Sequence, residues 1–368
     1  MWKSAALFAA VSCLLYLASQ YSPIKAESFS FPTLPVLPPS TFPVFETTRL
    51  LPGVLNGPES FAEDSQGRIY TGLDSGWIVR LPNKDPLLWK ESDVEFLLRT
   101  GKDCKQGDEL SCGRPLGMRF DLQGRLLVCD SSFGLLRVTL EPEVSVETLS
   151  TEAFLANDVL EHPLTQTIYF TDSSSFFKRT RILHEFLQSK PSGRLLAFHP
   201  SNSSVETLVS DLVFPNGIEL HPDQSSLILA SCSRSQLIRV QLSSGKTSVF
   251  ADDLPCFPDN LRLSKSRRTL LIGCSNKRTQ PFSLFHALAS QGKIRDIMAF
   301  FIPYDLIPLV QPQFGMFLEI DLDGKIVGSW QDDKALIPLV SEVHEYHGRF
   351  LVGSFRNRYL GIIHVPEH

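Results

Sequence analysis

The sequence returns six times to one local scheme, and this repetition constrains the fold more than any other feature. Each copy has an apolar strand-like run, a polar turn that often contains Gly or Asp, and further apolar runs. The copies begin at Phe61, Met118, Val159, Ile218, Leu261 and Val343. Blade-sized spacing of this kind is typical of a β-propeller, whereas a pair of β-sandwiches gives no reason for the repetition. The sequence therefore predicts an all-β fold, a six-bladed β-propeller over residues 51–368.

The spacing between copies is uneven, and the longer gaps locate two insertions. Residues 176–190 carry apolar residues at helical spacing, and residues 282–310 are strongly apolar and partly helix-periodic, with Pro303 breaking the run. We expect both insertions to form a helical cap over one face of the propeller. For the longer insertion, a lid over a substrate pocket and a patch that leans on a membrane are the alternatives.

The first residues of the sequence predict entry into the secretory pathway. Lys3 precedes an apolar run from Ala5 to Ala18, which predicts a short apolar helix. Residues 1–20 are therefore a signal peptide or an uncleaved signal anchor. The alternatives are a single-pass type II membrane protein of the endoplasmic reticulum or plasma membrane, with a luminal or extracellular propeller, and a secreted protein. Residues 21–50 are rich in Pro and predict an extended linker.

Cysteines and a glycosylation acceptor fit that compartment. Cys104 and Cys112 lie in one polar loop, which favours a disulfide in an oxidising compartment over two free thiols. Three further cysteines fall in apolar strand-like runs and are expected to be small buried side chains, namely Cys129, Cys232 and Cys274. Asn202 begins an N-glycosylation acceptor sequence in a polar turn.

Charge and motif content argue against two classes of function. The formal net charge is −5 and no long run of Lys or Arg occurs, so nucleic-acid binding has no electrostatic support. The sequence has no Cys or Cys/His spacing typical of a zinc site. The oligomeric state is left undetermined by these patterns.

Oxygen-bearing side chains recur just ahead of the innermost strand of several repeats. They are Glu59, Asn157, Asn216, Asp259 and Asn260. Because innermost strands line the central channel of a propeller, we expect these side chains to converge at one mouth of the channel. Ca²⁺ takes six to eight oxygen ligands and tolerates irregular geometry, so the set suits calcium. Each residue taken alone is explained as readily by turn formation.

These segments resemble the strictosidine synthase-like family of six-bladed propellers over nearly the whole chain. The most specific matches are Gly57-Pro58-Glu59-Ser60, Cys112-Gly113-Arg114-Pro115-Leu116-Gly117, Tyr169-Phe170-Thr171-Asp172-Ser173-Ser174-Ser175, Phe214-Pro215-Asn216-Gly217, Phe257-Pro258-Asp259-Asn260 and Ser341-Glu342-Val343-His344-Glu345. The resemblance implies an extracytoplasmic propeller, an N-terminal signal anchor and a loop disulfide between Cys104 and Cys112.

The resemblance also divides the possible chemistry. Plant enzymes of this family, which join tryptamine to an aldehyde, use a channel glutamate and have lost the metal ligands. Ser341 matches that glutamate, so this Pictet-Spengler condensation is not expected unless Glu342 substitutes for it. The related paraoxonase-type and gluconolactonase-type propellers keep a Glu/Asn/Asn/Asp calcium set and hydrolyse esters and lactones. The residues that match this set are Glu59, Asn157, Asn216 and Asp259. Leu116 stands where paraoxonases have a channel histidine.

Two functions of different classes follow. The first is a calcium-dependent arylesterase or lactonase-like hydrolase of a small-molecule ester or lactone, with Asp259, Glu342 or His344 as the base that activates water. His344 follows Glu342 by two residues and so shares its strand face, although a structural strand histidine is the alternative. The second is a non-catalytic propeller, anchored in a membrane, whose calcium ties blades together and whose surface binds a partner or a glycan.

Overall fold

The computed structural model describes residues 2–36, 38, 47–105, 107–279, 283–306, 313–332 and 334–364. Within them the chain forms six antiparallel sheets of four strands each. The innermost strands β2, β6, β10, β14, β18 and β22 contact one another in that order around a channel. The predicted six-bladed propeller is confirmed.

The strands of blades 1 to 5 follow one another along the chain. Blade 1 contains β2 (Phe61–Glu63), β3 (Ile69–Gly72), β4 (Trp77–Leu81) and β5 (Glu95–Arg99). Blade 2 contains β6 (Pro115–Phe120), β7 (Leu126–Asp130), β8 (Gly134–Thr139) and β9 (Ser145–Ser150). Blade 3 contains β10 (Ala156–Glu161), β11 (Ile168–Asp172), β12 (Pro191–His199) and β13 (Ser204–Val213). Blade 4 contains β14 (Pro215–Leu220), β15 (Ser226–Ser231), β16 (Gln236–Gln241) and β17 (Thr247–Ala251). Blade 5 contains β18 (Cys256–Leu263), β19 (Thr269–Lys277), β20 (Gly315–Asp321) and β21 (Ile326–Asp332).

Blade 6 closes the ring with strands from both ends of the propeller. It contains β22 (Val343–Tyr346), β23 (Arg349–Val352), β24 (Leu360–His364) and β1 (Thr47–Leu50). β1 pairs antiparallel with β24, with Leu50 opposite Leu360. Because β1 precedes blade 1 in the chain and pairs in blade 6, it ties the last blade to the first and closes the ring. The first described strand of the propeller, β1, therefore lies inside the range predicted as linker.

The core lies between the blades because each blade is packed between two neighbours. Middle strands are consequently buried on both faces: every residue of Leu126–Asp130 and of Ser226–Ser231 is buried. An outermost strand such as Ser145–Ser150 is mostly exposed or half-buried. Burial of apolar surface stabilises such a fold by about 25 cal/mol per Å², and a single sheet could not bury both of its faces.

Helices interrupt or precede the propeller. They are α1 (Trp2–Gln20), α2 (Glu109–Cys112), α3 (Ile182–Gln188), α4 (Leu284–Leu288) and α5 (Gly292–Phe301), with 3-10 turns at Pro86–Leu88, Glu91–Asp93, Arg179–Arg181 and Cys232–Arg234. Each predicted insertion is thus helical over only part of its length. Residue 282 and residues 307–310 of the longer insertion lie outside the described residues. In the described part of the chain, no helix has both the length and the apolarity needed to cross a membrane.

The predicted insertions contribute α3, α4 and α5 to a cap, and a segment that was not predicted to belong to it, the strap, residues 24–31, completes the cap. The strap falls in the predicted linker yet is bound to the helices: the N–H of Glu27 donates to the Gln188 carbonyl at 2.9 Å, and that of Phe29 to the Ala289 carbonyl at 3.1 Å. The ring of Phe186 in α3 lies 4.8 Å from that of Phe257, centroid to centroid. Since Phe257 precedes Asp259 by two residues, the cap covers the end of the channel where the predicted ligands lie.

The predicted disulfide between Cys104 and Cys112 is present. Cys129 and Cys232 are buried free thiols, as predicted. Cys274 is buried too, but it forms a second disulfide with Cys256, which the sequence analysis did not predict. This bond joins β18 to β19, where the two cysteines come together although they are separated by 18 positions.

Candidate metal centre at the channel mouth

A β-bulge occurs at the same place in four innermost strands. The register shifts between Pro115 and Met118, Ala156 and Val159, Pro215 and Ile218, and Pro258 and Leu261. A bulge re-aims side chains and is common next to functional sites. Gly217 is needed at its bulge because a Cβ there would lie 2.6 Å from the Cα of Asn260 in the next blade.

The bulges place four of the predicted ligands at the mouth of the channel, where Glu59, just ahead of β2, joins them. We call this set the mouth ring: Glu59, Asn157, Asn216, Asp259 and Asn260. All five side chains are buried, and Glu59 is only 3% exposed. The amide of Asn260 donates to Glu59 Oε1 at 3.1 Å, and the amide of Asn216 hydrogen-bonds to Asp259. Asn157 occupies the equivalent bulge in blade 3.

Oxygen atoms of the mouth ring are left without partners. Among the described residues, four of them are buried and accept no hydrogen bond: Glu59 Oε2, Asn157 Oδ1, Asn216 Oδ1 and Asn260 Oδ1. An unpaired buried polar atom costs roughly 1–3 kcal/mol, so such atoms are rare in folded proteins unless a ligand satisfies them.

The two carboxyl groups of the mouth ring are held in an unfavourable electrostatic setting. Burial raises the pKa of Glu59 to about 7, although the nearby guanidinium of Arg114 acts in the opposite direction. Burial also raises the pKa of Asp259 well above its usual range, and the charge of Glu59 raises it further. A cation bound between the two carboxylates would lower both pKa values and so reverse both shifts.

The donor set fits a hard cation. It combines two carboxylates with amide oxygens, which are the ligands that Ca²⁺ prefers, and the orphaned oxygens give the cation its partners. In the part of the chain that the structure describes, no three His, Cys, Asp or Glu side chains form a metal-binding cluster. A zinc-type site of imidazole and thiolate ligands therefore has no support there.

A second set of charged residues, which we call the arginine layer, lies beside the mouth ring. It consists of Asp158, Arg262 and Glu342. Arg262 Nη1 lies 2.7 Å from Asp158 Oδ2, and Arg262 Nη2 lies 2.5 Å from Glu342 Oε2. Backbone groups complete the layer, because Phe61 N donates to Glu342 Oε1 at 2.9 Å and Ile218 N donates to Asp158 Oδ2 at 2.9 Å.

Glu342 was predicted as a candidate base, and the structure binds it to Arg262 instead. Burial raises the pKa of Glu342 to about 7, while Arg262 opposes this rise. Its neighbour Ser341 joins blade 6 to the mouth ring: the Ser341 hydroxyl donates to the Glu59 carbonyl at 2.5 Å, and Asn260 N donates to the Ser341 carbonyl at 2.9 Å. The position matched to the synthase glutamate thus has a structural role.

His344, the third candidate base, does not lie with the mouth ring. Its Nε2 is 3.1 Å from Glu63 Oε2, and Lys265 Nζ is 3.2 Å from the same oxygen. The hydrogen bond from His344 is the largest cause that lowers the pKa of Glu63 to about 2. Glu63 follows Glu59 by four residues, or roughly 13 Å along an extended strand. The interpretation as a structural strand histidine is the one the contacts support.

Two buried arginines beside the mouth ring were not predicted from the sequence. Arg262 follows Asn260 by two residues, and a charged residue between Leu261 and Leu263 in an apolar strand was the available signal. Arg114 is completely buried, and its Nη1 shares the Gly72 carbonyl with the backbone N–H of Glu59, at 3.5 and 3.4 Å. In the sequence, Arg114 stood out only as part of the segment Cys112–Gly117, which resembles the strictosidine synthase-like family.

Two other predicted positions lie where expected. Leu116 is buried at the blade 2 bulge, so this position adds no oxygen to the mouth ring. Asn202 lies on an exposed turn, with its Oδ1 accepting from the Ser204 hydroxyl at 2.8 Å. Glycosylation of Asn202 stays a prediction.

The fold and the mouth ring define a capped six-bladed propeller with a candidate calcium site. Residues 157–246 match the strictosidine synthase family, and residues 46–81 match the N-terminal region of strictosidine synthase-like proteins. The adipocyte plasma membrane-associated protein of Rattus norvegicus is 31% identical over 356 residues, covering 92% of each chain. That of Homo sapiens is 32% identical over 359 residues, covering 92% of this chain and 83% of the relative. The protein belongs to the strictosidine synthase-like family.

A solved structure extends the comparison of folds. A gluconolactonase from Xanthomonas campestris superposes with a TM-score of 0.57 over 93% of this chain and 98% of that chain, at 14% sequence identity. At this identity the likeness shows a shared propeller fold.

Proposed function

We propose that this protein is a calcium-binding propeller that hydrolyses a small ester or lactone at the channel mouth. The four buried oxygens without partners in the mouth ring carry the proposal. Glu59, Asn157, Asn216, Asp259 and Asn260 would hold the ion. Bound calcium would polarise a substrate carbonyl and stabilise negative charge that develops on its oxygen.

Asp259 is the candidate proton acceptor. Of the three candidate bases it is the one that lies in the mouth ring, beside the position that the ion would take. The other two candidates are engaged elsewhere, Glu342 with Arg262 and His344 with Glu63. A carboxylate base in place of a histidine also fits the apolar Leu116 at the blade 2 position.

The layers below the mouth ring direct a substrate to the cap side. The arginine layer occupies the channel, and Arg119 crosses it farther along. Arg119 Nη2 donates to the Ile218 carbonyl at 2.9 Å, and Arg119 Nη1 lies 3.0 Å from Glu219 Oε2. Since Arg119 belongs to blade 2 and its partners to blade 4, the side chain spans the channel. A substrate would therefore reach the mouth ring past the cap.

The alternative function is a non-catalytic propeller with structural calcium. It is favoured by the absence of a carboxylate at Ser341 and of a histidine at Leu116. In that case the ion would tie together blades 1, 3, 4 and 5, which supply the mouth ring, and the surface would bind a partner or a glycan. Condensation of an amine with an aldehyde is not proposed, because Ser341 is engaged with the Glu59 backbone.

For the location we propose the secretory pathway, with residues 1–20 as a membrane anchor or a cleaved signal. The two disulfides support an oxidising compartment. The relatives named above are plasma membrane-associated by name. Protein sequencing of the chain expressed in a secretory host checks this, since an N-terminus near residue 20 would exclude the anchor.

Turnover of phenyl acetate and of a γ-lactone by the purified full chain tests the hydrolase. We expect turnover with calcium, its loss with a chelator, and a fall of roughly 10²-fold or more in Asp259→Asn, the usual scale for a catalytic acid or base. Glu63→Gln is the matched control, a channel carboxylate away from the mouth ring. Calcium binding by calorimetry without chelator-sensitive turnover would favour the structural alternative, and no calcium binding would remove both functions.

A further inference from the structure

The polarity of helix α5 is inverted relative to an ordinary surface helix. Its inward face buries Arg295 and Asp296, which are held by the strap and by α3. Arg295 Nη1 donates to the Leu187 carbonyl at 2.6 Å, and Asp296 Oδ1 accepts from Ala26 N at 2.7 Å. A surface helix normally turns its apolar stripe towards the core. Here polar groups anchor the helix, which leaves its apolar side chains on the outside.

The outward face of α5 is apolar over most of its length. Ile294, Phe300 and Phe301 are 44%, 42% and 48% exposed, and the rings of the two phenylalanines lie 5.2 Å apart. Leu306, just beyond the helix, is 49% exposed. Contiguous exposed apolar side chains, unlike single ones, mark an interaction surface.

Helix α1 extends this surface. It packs along α5, with Ala18 completely buried, while its other sides expose apolar residues. These exposed residues include Leu7, Phe8, Val11, Leu14 and Leu15. A helix that is apolar all round is expected in a protein core or in lipid, and nothing in the described part of the chain covers these side chains.

The strap fixes α1 to the cap. Lys25 Nζ donates to the Ser19 and Gln20 carbonyls at 3.0 and 2.6 Å, which caps the C-terminal end of α1. Ile24 is completely buried, so only the short segment 21–23 lies between α1 and the bound strap. At the length of an extended residue, this segment spans at most about 10 Å. Any membrane that holds α1 therefore lies next to the cap.

We infer that α1 and the outward face of α5 form one bilayer-docking surface, which holds the capped mouth of the channel against a phospholipid membrane; this rests on the proposal that residues 1–20 are retained as an anchor. The aromatic and aliphatic side chains suit the boundary between headgroups and acyl chains, and the exposed Lys293 beside them suits anionic headgroups. The surface lies on the mouth side because α5 packs on α3, whose Phe186 contacts Phe257 next to the mouth ring.

A fluorescent probe at two positions tests this inference. Phe301→Cys and Leu164→Cys are each made in the full chain carrying Cys13→Ser, since the other free cysteines, Cys129 and Cys232, are buried. Both are labelled with an environment-sensitive dye. Leu164 is the matched control: it is 76% exposed and lies on the turn after β10, at the opposite end of that strand from Asn157.

The labelled chains are mixed with vesicles of phosphatidylcholine and phosphatidylserine that carry spin labels on the acyl chains. We expect the probe at position 301 to brighten roughly threefold and to be quenched by the spin labels, and the probe at position 164 to change little, because only side chains inserted in lipid meet the quencher. Quenching equal to that at position 164, in chains that float with the vesicles, overturns the inference. Failure of the chains to float with the vesicles also overturns the inference. A third result would assign the surface to a second copy of the chain: self-association that Phe300→Ser/Phe301→Ser abolishes, while the probe at position 301 stays unquenched.

Discussion

The mouth ring and the arginine layer are built from neighbouring residues, yet their charges are balanced differently. Asn157 lies beside Asp158, and Asn260 two residues before Arg262. In the arginine layer, both carboxylates contact one guanidinium, at 2.7 and 2.5 Å. In the mouth ring, Glu59 and Asp259 contact no cationic side chain, and four oxygens have no partner among the described residues. The difference teaches that the fold can pair buried carboxylates with an arginine of its own, and the set without such a pair supports the proposal of a cation from outside.

The largest expected effect comes from removing the internal cation. Arg262→Met leaves Asp158 and Glu342 buried and unpaired, so the free energy of unfolding should fall by about 3–5 kcal/mol in denaturant titrations. Arg80→Met is the control, because its partner Glu95 is largely exposed and such a pair contributes about 1 kcal/mol or less. Equal losses of unfolding free energy in the two variants would mean that Arg262 does not stabilise the buried carboxylates Asp158 and Glu342.

The next effect concerns the cation of the mouth ring. Calcium at 100 times its dissociation constant should stabilise the protein by about 2.7 kcal/mol, measured as a rise in Tm over the chelator-treated protein. Glu59→Gln should lose this rise, whereas Glu63→Gln should keep it because Glu63 lies with His344. Calcium protection that survives in Glu59→Gln would place the ion elsewhere.

A smaller effect is expected from pH in the metal-free protein. The pKa of Glu59 is raised from 4.5 to about 7, so between these values the folded protein binds more protons than the unfolded chain. Stability should therefore fall as the pH rises through this range, by up to about 1.4 kcal/mol between pH 6 and pH 7. Thermal unfolding with chelator should show a flatter pH dependence in Glu59→Gln. A Tm that rises with pH more in the wild type than in this variant would contradict the assignment.

The smallest effect concerns the joint between blades 6 and 1. Ser341→Ala removes the hydroxyl that donates to the Glu59 carbonyl, and should lower the free energy of unfolding by about 1 kcal/mol. Calcium affinity, measured by calorimetry, should fall with it because the Glu59 backbone is less well fixed. Ser210→Ala, on an exposed position, should change neither quantity. Unchanged calcium affinity in Ser341→Ala would mean that this hydrogen bond does not position the mouth ring.

Local pattern explains what could be predicted. The blade number followed from six copies of one strand-and-turn scheme, and the mouth ring residues followed from their common place in it. The strand Thr47–Leu50 fell in the range predicted as linker, because a strand of four residues carries no repeat signal and gains its identity from pairing with Leu360–His364. The disulfide of Cys274 was missed because its partner Cys256 lies in the adjacent strand, and pairing across strands leaves no local pattern.

The sequence by itself determined a six-bladed propeller with oxygen-bearing side chains at one level of its channel, because both depend on short segments that repeat. Only the tertiary structure decided which carboxylates are compensated. Arg262 reaches Asp158 across 104 positions, and Asn260 reaches Glu59 across 201 positions. Contacts between different blades depend on how the ring closes, so the same polar residues became an ion-paired layer in one place and an unsatisfied ring of oxygens in the next.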